Sequence, residues 1–129
     1  MKRVRSLLAA TAAMAAFGGP AIAADTPQWV RYAAISPDGD AISFTYRGQI
    51  YVVDAQGGLA VPVTSQGYYS YGAVWSPNSE ELAFASDING DDDVYVTNFD
   101  TARLTRLTWS SRPEVPTSFT PDGKGVLYN

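Results

Sequence analysis

The sequence contains neither cysteine nor histidine. Without cysteine, the chain can form no disulfide and no thiolate metal site. Because histidine is missing too, the sequence cannot supply a Ser-His-Asp triad, a Cys-His pair or an ordinary zinc site. Lysine is scarce as well, and Lys124 is the only one after the first few residues. This stretch of sequence therefore excludes the usual catalytic groups of nucleophilic hydrolases, and no cofactor is expected beyond the calcium considered below.

Positive charge is concentrated at the N-terminus. A basic region at positions 2–5 precedes the apolar run Leu7–Phe17, and Ala21–Ala23 supplies the small residues that a signal peptidase requires. The apolar run is shorter than the roughly 20 residues that span a bilayer. We therefore predict a bacterial Sec signal peptide over residues 1–23, no permanent membrane anchor, and a periplasmic or secreted mature chain.

Negative charge dominates once the predicted signal peptide is set aside. The remaining sequence carries six basic and 13 acidic side chains, a net charge of −7. An acidic surface repels the phosphate backbone of nucleic acids. Nucleic acid is therefore excluded as an expected partner.

Three segments of the mature sequence superpose at fixed offsets. They are Ile35–Gly39, Trp75–Ser79 and Phe119–Gly123, and their prolines are separated by 40 and 44 residues. An aromatic residue follows each proline after seven positions: Phe44, Phe84 and Tyr128. The four extra residues of the longer period fall in the segment Asp87–Asp93. The agreement at several offsets indicates a true internal repeat.

Each repeat contains short runs rich in Val, Ile, Tyr, Phe and Thr, separated by Gly, Pro, Asp and Asn, a pattern typical of β-strands and turns. Four antiparallel strands per 40 to 44 residues is the size of a propeller blade. The alternative is an open β-meander or sandwich that happens to repeat. We predict an all-β fold, a β-propeller of four-stranded antiparallel blades over residues 24–129. The expected boundaries are about 32–64 for blade 1, about 72–108 for blade 2 and about 116–129 for a partial blade 3.

About two and a half blades are fewer than a closed propeller requires, since propellers have roughly four to eight. A single repeat cannot bury its apolar face without a neighbour. We therefore expect the chain to be a fragment that continues into downstream parts of the same parent protein.

The blade cores resemble the PD40 repeat, a TolB-type and WD40-like motif. The matching segments are Trp75–Asn78, Leu82–Asp87, Asp93–Val96 and Leu104–Thr108. The resemblance covers residues 32–129 and is specific for the repeat family rather than for one member. Residues Trp29–Ser36, together with the segment Pro113–Lys124, are similar to secreted tricorn-like peptidases of the S41 class.

The tricorn-like resemblance implies a non-catalytic N-terminal propeller that gates or binds peptides, followed by a PDZ module and a domain with a serine nucleophile. No catalytic residue is carried over to this chain, because none of those later parts is present. Similar blades also begin TolB, secreted amidohydrolases and prolyl-oligopeptidase-type peptidases. The main alternative is therefore a TolB-like interaction propeller without enzymatic activity. In either case the expected partners are peptides or proteins of the cell envelope.

The acidic segment between the second and third strands of blade 2 suggests a calcium site. Carboxylates at alternate positions with a glycine can wrap a hard cation in oxygen ligands. The candidate ligands are Asp87, Asn89, Asp91 and Asp93. The pattern departs from a calcium loop, because Asp92 stands where glycine is expected and Asn98 where a bidentate glutamate is expected. The alternative is a solvated hairpin turn.

The connections between blades carry the candidate binding residues for a peptide or protein partner. They are Tyr68, Tyr69, Tyr71, Arg112 and Glu114. Because strands alternate in direction, these connections are expected on the same face as the 87–93 segment. Tyrosine and arginine are enriched at binding hot spots. The alternative is that the tyrosines pack between neighbouring blades.

The strand pattern also predicts which side chains are buried. Expected core residues are Ile50, Val52, Val94 and Val96, with Tyr51 and Tyr95 at matching repeat positions, and Trp75, Ile35 and Phe119 at another. The Asp91–Asp93 stretch is expected to stay exposed, because unpaired carboxylates are costly to bury.

Overall fold

The computed structural model describes residues 29–129, so the predicted signal peptide lies outside the described residues. The described part consists of ten β-strands connected by turns and loops, with no helix. No helix in this part of the chain is therefore long and apolar enough to cross a membrane. The predicted all-β class is confirmed.

The strands form two four-stranded antiparallel sheets and one hairpin, in chain order within each sheet. Blade 1 contains β1 (Arg31–Ile35), β2 (Ala41–Tyr46), β3 (Gln49–Asp54) and β4 (Val61–Pro62). Blade 2 contains β5 (Ser70–Trp75), β6 (Glu81–Ser86), β7 (Asp93–Asn98) and β8 (Arg103–Arg106). The hairpin of blade 3 contains β9 (Pro116–Phe119) and β10 (Val126–Tyr128). This is the architecture of consecutive propeller blades.

The turn between the first two strands has the same construction in every blade. In blade 1, the Ser36 hydroxyl donates to the Asp38 carboxylate and accepts a bond from the backbone N–H of Ala41 at 2.9 Å. The hydrogen bond from Ser36 is the main reason that the pKa of Asp38 is lowered. Gly39 closes the turn at a φ of 78°, which glycine adopts without a Cβ penalty. The polar pairs Ser76–Asn78 and Thr120–Asp122 repeat the arrangement.

The first strand of each complete blade contains a β-bulge at the same repeat position. Its pairing with the second strand shifts between Arg31 and Ala34 in blade 1, and between Tyr71 and Val74 in blade 2. The bulges include Tyr32 and Gly72, which have φ values of 53° and 65°. An extra residue in one strand turns its neighbours relative to the sheet. The bulges therefore set the direction of the residues that lead into the interblade connections.

The two complete blades pack face to face. The front face of blade 1 is defined by Ala41, Ile50 and Val52. The back face of blade 2 is defined by Trp75, Leu82, Phe84 and Tyr95. These side chains form one buried cluster. A hydrogen bond from Trp75 Nε1 to the carbonyl oxygen of Ala34, 3.1 Å long, joins the blades across it. The core therefore lies between blades, and not within one sheet.

Burial agrees with expectation at five of the nine predicted core positions and differs at four, Ile35, Tyr51, Val96 and Phe119, the last of which is half-buried in the blade 3 hairpin. Ile50, Val52, Val94 and Tyr95 are buried, and Trp75 is 8% exposed. Ile35 is 61% exposed and Tyr51 is half-buried, because both lie on the back face of blade 1, which no described strand covers. Val96 is half-buried because the blade 3 hairpin covers only the inner strands of blade 2.

Candidate functional site

Four connections emerge on one side of the two complete blades, because antiparallel strands alternate in direction. They are residues 47–48, 63–69, 87–92 and 107–115, which together we call the loop face. The first and third connections join the second strand to the third within a blade. The other two lead from one blade to the next. Tyr68, Tyr69, Arg112 and Glu114 therefore share one face with the acidic segment, whereas Tyr71, which was predicted in the same connection, lies inside strand β5.

Hydrogen bonds join the acidic connection 87–92 to the chain on either side of blade 2, where the interblade connections enter and leave it. Asp87 accepts a 2.7 Å bond from the backbone N–H of Tyr69 and donates its own N–H to the Tyr69 carbonyl at 3.3 Å. The Tyr71 hydroxyl donates to the Asp92 carboxylate at 3.0 Å. The carbonyl of Asp92 accepts a 2.7 Å bond from the N–H of Glu114. The acidic segment thus orders both interblade connections.

The tyrosines divide into a packed member and exposed members. Tyr71 is half-buried, and its ring lies 5.7 Å from that of Tyr32 and 5.4 Å from that of Tyr69. Burial, and then the hydrogen bond and charge of Asp92, raise the pKa of Tyr71 to about 12. Tyr71 is therefore a neutral hydrogen-bond donor that holds strand β5 to the 87–92 connection. Tyr68 and Tyr69 are 44% and 46% exposed, so their rings are available on the loop face.

The second interblade connection adds charge and another ring. Arg112 is exposed, and its backbone N–H donates to the Ser110 hydroxyl at 3.1 Å. Trp109 is 71% exposed, with the Arg106 guanidinium 5.7 Å from its ring centre. Glu114 is half-buried at the blade seam. Exposed aromatic rings beside both signs of charge are suited to binding an extended polypeptide.

Asp93 does not have the exposure that the sequence analysis predicted. Its side chain is fully buried, and its carboxylate oxygen lies 2.6 Å from an Arg106 guanidinium nitrogen. Arg106 also donates to the carbonyl of Thr108 at 2.8 Å. The expectation of a wholly exposed acidic stretch is wrong because this arginine neutralises the last carboxylate. The sequence could have indicated this ion pair, because Asp93 begins β7 and Arg106 ends the adjacent antiparallel strand β8.

Three of the four candidate calcium ligands are engaged in separate contacts, and the fourth, Asp91, is exposed. Asp87 binds the Tyr69 amide, Asn89 donates to the Tyr95 hydroxyl at 2.6 Å, and Asp93 pairs with Arg106. Within residues 29–129, no group of three or more His, Cys, Asp or Glu side chains is placed to hold a metal ion. The geometry therefore gives the calcium hypothesis no support.

Comparison with solved structures supports the propeller architecture. No protein-family model matches the chain. The putative TolB from Agrobacterium tumefaciens is 26% identical, with a TM-score of 0.68 over 75% of this chain and 36% of that structure. TolB from Acinetobacter baumannii is 24% identical, with a TM-score of 0.67 over 77% of this chain and 26% of that structure. The tricorn protease is 18% identical, with a TM-score of 0.63 over 77% of this chain and 11% of that structure.

The chain spans between 11% and 36% of the length of these structures. The similarity therefore shows part of a TolB-like β-propeller.

Proposed function

We propose that this chain is the non-catalytic propeller segment of an exported protein, and that its loop face binds extended peptides or protein segments of the cell envelope. The observation that supports this most directly is the placement of Tyr68, Tyr69 and Arg112. They come from two consecutive interblade connections, are exposed, and lie on one face. The basic and apolar pattern of the first 23 residues supports export, as does the similarity to TolB structures.

The hydrogen bonds that order the interblade connections also support a binding role for the loop face. Asp87 and Asp92 hold the connections through the backbone atoms of Tyr69 and Glu114. Because the backbone of these connections is already fixed, binding a ligand costs the protein less conformational entropy than binding at a mobile loop would. The exposed rings are therefore presented in a preorganised arrangement.

Peptide binding is tested with the exported chain and fluorescent, unstructured peptides of mixed sequence, followed by anisotropy. Truncating an energetically important interface residue costs more than about 1 kcal/mol, which is roughly a fivefold loss of affinity. We expect that loss for Tyr68→Ala and for Arg112→Ala. Leu59→Ala is the matched control, since Leu59 is 81% exposed on the opposite side of the blades. Absence of binding by the unaltered chain, or equal losses in all three variants, would contradict the proposal.

A more specific proposal is that the parent protein is a tricorn-like S41 peptidase and that the propeller filters its substrates. The tricorn-like features at residues 29–36 and 113–124 and the structural similarity to the tricorn protease support it. The second candidate is a TolB-like interaction propeller, which the higher identity and TM-score of the TolB structures favour. The reading frame downstream of Asn129 distinguishes them. A PDZ-like segment with a serine hydrolase domain supports the peptidase, and a reading frame that contains only further blades supports the interaction propeller.

A further inference from the structure

A group of packed aromatic rings lies where the first interblade connection joins the two complete blades. It consists of Tyr32 of β1, Tyr69 of the connection and Tyr71 of β5, and we call it the tyrosine cluster. The Tyr71 ring contacts both of the others, with its centroid 5.7 Å from that of Tyr32 and 5.4 Å from that of Tyr69. Tyr32 and Tyr69 are 51% and 46% exposed. Aromatic surface of the cluster is therefore open to a ligand at this part of the loop face.

Contacts within the chain fix the position of the tyrosine cluster. The Tyr71 hydroxyl donates to the carboxylate of Asp92, and the backbone N–H of Tyr69 donates to that of Asp87. Gly48 borders the Tyr69 ring so closely that a Cβ at this glycine would lie 3.0 Å from the Cδ2 atom of the ring. The rings are therefore held in place before a ligand arrives.

The acidic segment beside the cluster carries negative charge that the chain does not neutralise. Of the four aspartates in residues 87–93, Asp93 is the one that forms an ion pair with a basic side chain of the described residues. Asp87 and Asp92 accept hydrogen bonds from neutral groups of the cluster. Asp91 is exposed. Three carboxylates therefore lie beside the cluster without a cation from residues 29–129.

Two other rings of the chain show what the cluster lacks. The Arg47 guanidinium lies 5.3 Å from the centre of the Tyr46 ring, and the Arg106 guanidinium lies 5.7 Å from that of Trp109. Both distances are typical of cation–π contacts, in which a positive group lies over the negative face of a ring. Within residues 29–129, no arginine or lysine is placed in this way over a ring of the tyrosine cluster. The cluster therefore has the rings and the negative charge of a cation-binding surface without an internal cation.

We propose that the tyrosine cluster and the acidic segment bind the positively charged side chain of a lysine or arginine in an extended polypeptide. The inference rests on the proposed peptide binding by the loop face and names the side chain that this part of the face selects. The bound cation would lie over an open ring, near the carboxylate of Asp92 and that of its neighbour Asp91. An organic cation suits this surface better than a metal ion, because the carboxylates of the described residues do not converge on one point.

The test compares three fluorescent peptides that are identical except for lysine, glutamine or glutamate at one central position. Their affinities for the exported chain are measured by anisotropy. An exposed cation–π contact corresponds to a roughly two- to fivefold difference in affinity. We expect at least that advantage for the lysine peptide over the glutamine peptide, and the weakest binding for the glutamate peptide. The advantage of lysine should shrink as ionic strength rises, because salt screens charges that are open to solvent.

Two pairs of variants assign the preference to this surface. Asp91→Asn should weaken binding of the lysine peptide and leave that of the glutamine peptide unchanged. Asp40→Asn is the matched control, because it makes the same change of charge at an exposed residue between β1 and β2, on the opposite side of the blades. Tyr69→Leu should remove the preference for lysine, whereas Tyr69→Phe keeps a ring and should keep the preference. The ratio of the lysine and glutamine affinities is compared, so a general loss of binding does not imitate the expected result.

The outcomes separate this inference from the proposed function. Equal affinities for the three peptides, or equal effects of Asp91→Asn and Asp40→Asn on the lysine peptide, would overturn the inference while peptide binding by the loop face stands. Absence of binding by all three peptides would overturn both.

Discussion

Asp93 and Gln49 occupy the same repeat position in blades 2 and 1, but their surroundings differ. In blade 1, the Gln49 amide donates to the carbonyl of Thr64 at 3.0 Å. In blade 2, Arg106 makes the equivalent bond to Thr108 at 2.8 Å, and Asp93 neutralises the arginine. The hydroxyl of the same threonine accepts a 2.9 Å bond from a backbone N–H of the third strand in both blades, that of Ile50 in blade 1 and that of Val94 in blade 2. The neutral Gln49 side chain thus bonds the threonine carbonyl in blade 1, whereas the Asp93–Arg106 ion pair does so in blade 2.

Arg106→Leu should strongly destabilise the chain, because it leaves the Asp93 carboxylate buried without its partner. Removing one member of a buried pair typically costs about 3–5 kcal/mol. The double variant Asp93→Gln with Arg106→Leu should recover most of that loss, since the new amide can donate to Thr108 as Gln49 does to Thr64. Urea unfolding measures both. If the double variant is no more stable than the single variant, the ion pair has a role beyond the one inferred from blade 1.

The hairpin turn that connects the first two strands shows how an element tolerates an unfavourable residue. Ser79 of blade 2 has a φ of 62°, where the other two blades have Gly39 and Gly123. The Ser79 hydroxyl accepts a 3.2 Å bond from the backbone N–H of Asp38 in blade 1. The contact between blades offsets part of the conformational cost of serine in this turn.

Substitutions at Ser79 separate the two effects. Ser79→Ala loses the hydrogen bond to Asp38 and keeps a Cβ at positive φ, whereas Ser79→Gly loses the bond and removes the conformational cost. A left-handed conformation costs about 1–2 kcal/mol for a residue with a side chain. We therefore expect the glycine variant to be more stable than the alanine variant by about 1 kcal/mol, measured by thermal or urea unfolding. Equal stabilities would show that the turn relaxes when the hydroxyl is removed.

Across the whole molecule, stability depends on the surface between blades. Trp75 lies in the buried cluster that joins blades 1 and 2 and donates to the Ala34 carbonyl. The four strands of blade 1 have no comparable cluster on their other side, where Ile35 is exposed. The two complete blades should therefore unfold together rather than separately.

Trp75→Ala should destabilise both blades by about 3–5 kcal/mol, the usual cost of removing a large buried aromatic side chain. Hydrogen exchange is the measurement, and we expect protection to fall in β2 and β3 of blade 1 as much as in β6 and β7 of blade 2. Trp29→Ala is the control, because that ring is 77% exposed and its loss should change little. Loss of protection confined to blade 2 would show that the blades are independent units.

The repeat determined the all-β class and the four-strand pattern because strand alternation and turn chemistry are local properties of the sequence. The offsets from Pro37, Pro77 and Pro121 marked the turn between the first two strands of each described blade. The position of the loop face followed as well, since antiparallel strands must alternate in direction. These features need no knowledge of distant contacts.

Tertiary structure alone decided which repeat positions are buried and which polar groups are paired. Ile35 and Trp75 have equivalent places in the repeat, yet one is exposed and the other buried, because burial depends on the neighbouring blade. Asp93 belongs to an acidic segment but is neutralised by Arg106 from the adjacent strand. Tyr71 differs from Tyr68 because it bonds to Asp92 and packs against the rings of Tyr32 and Tyr69. Repetition in sequence specifies the blade, whereas contacts between blades specify the environment of each side chain.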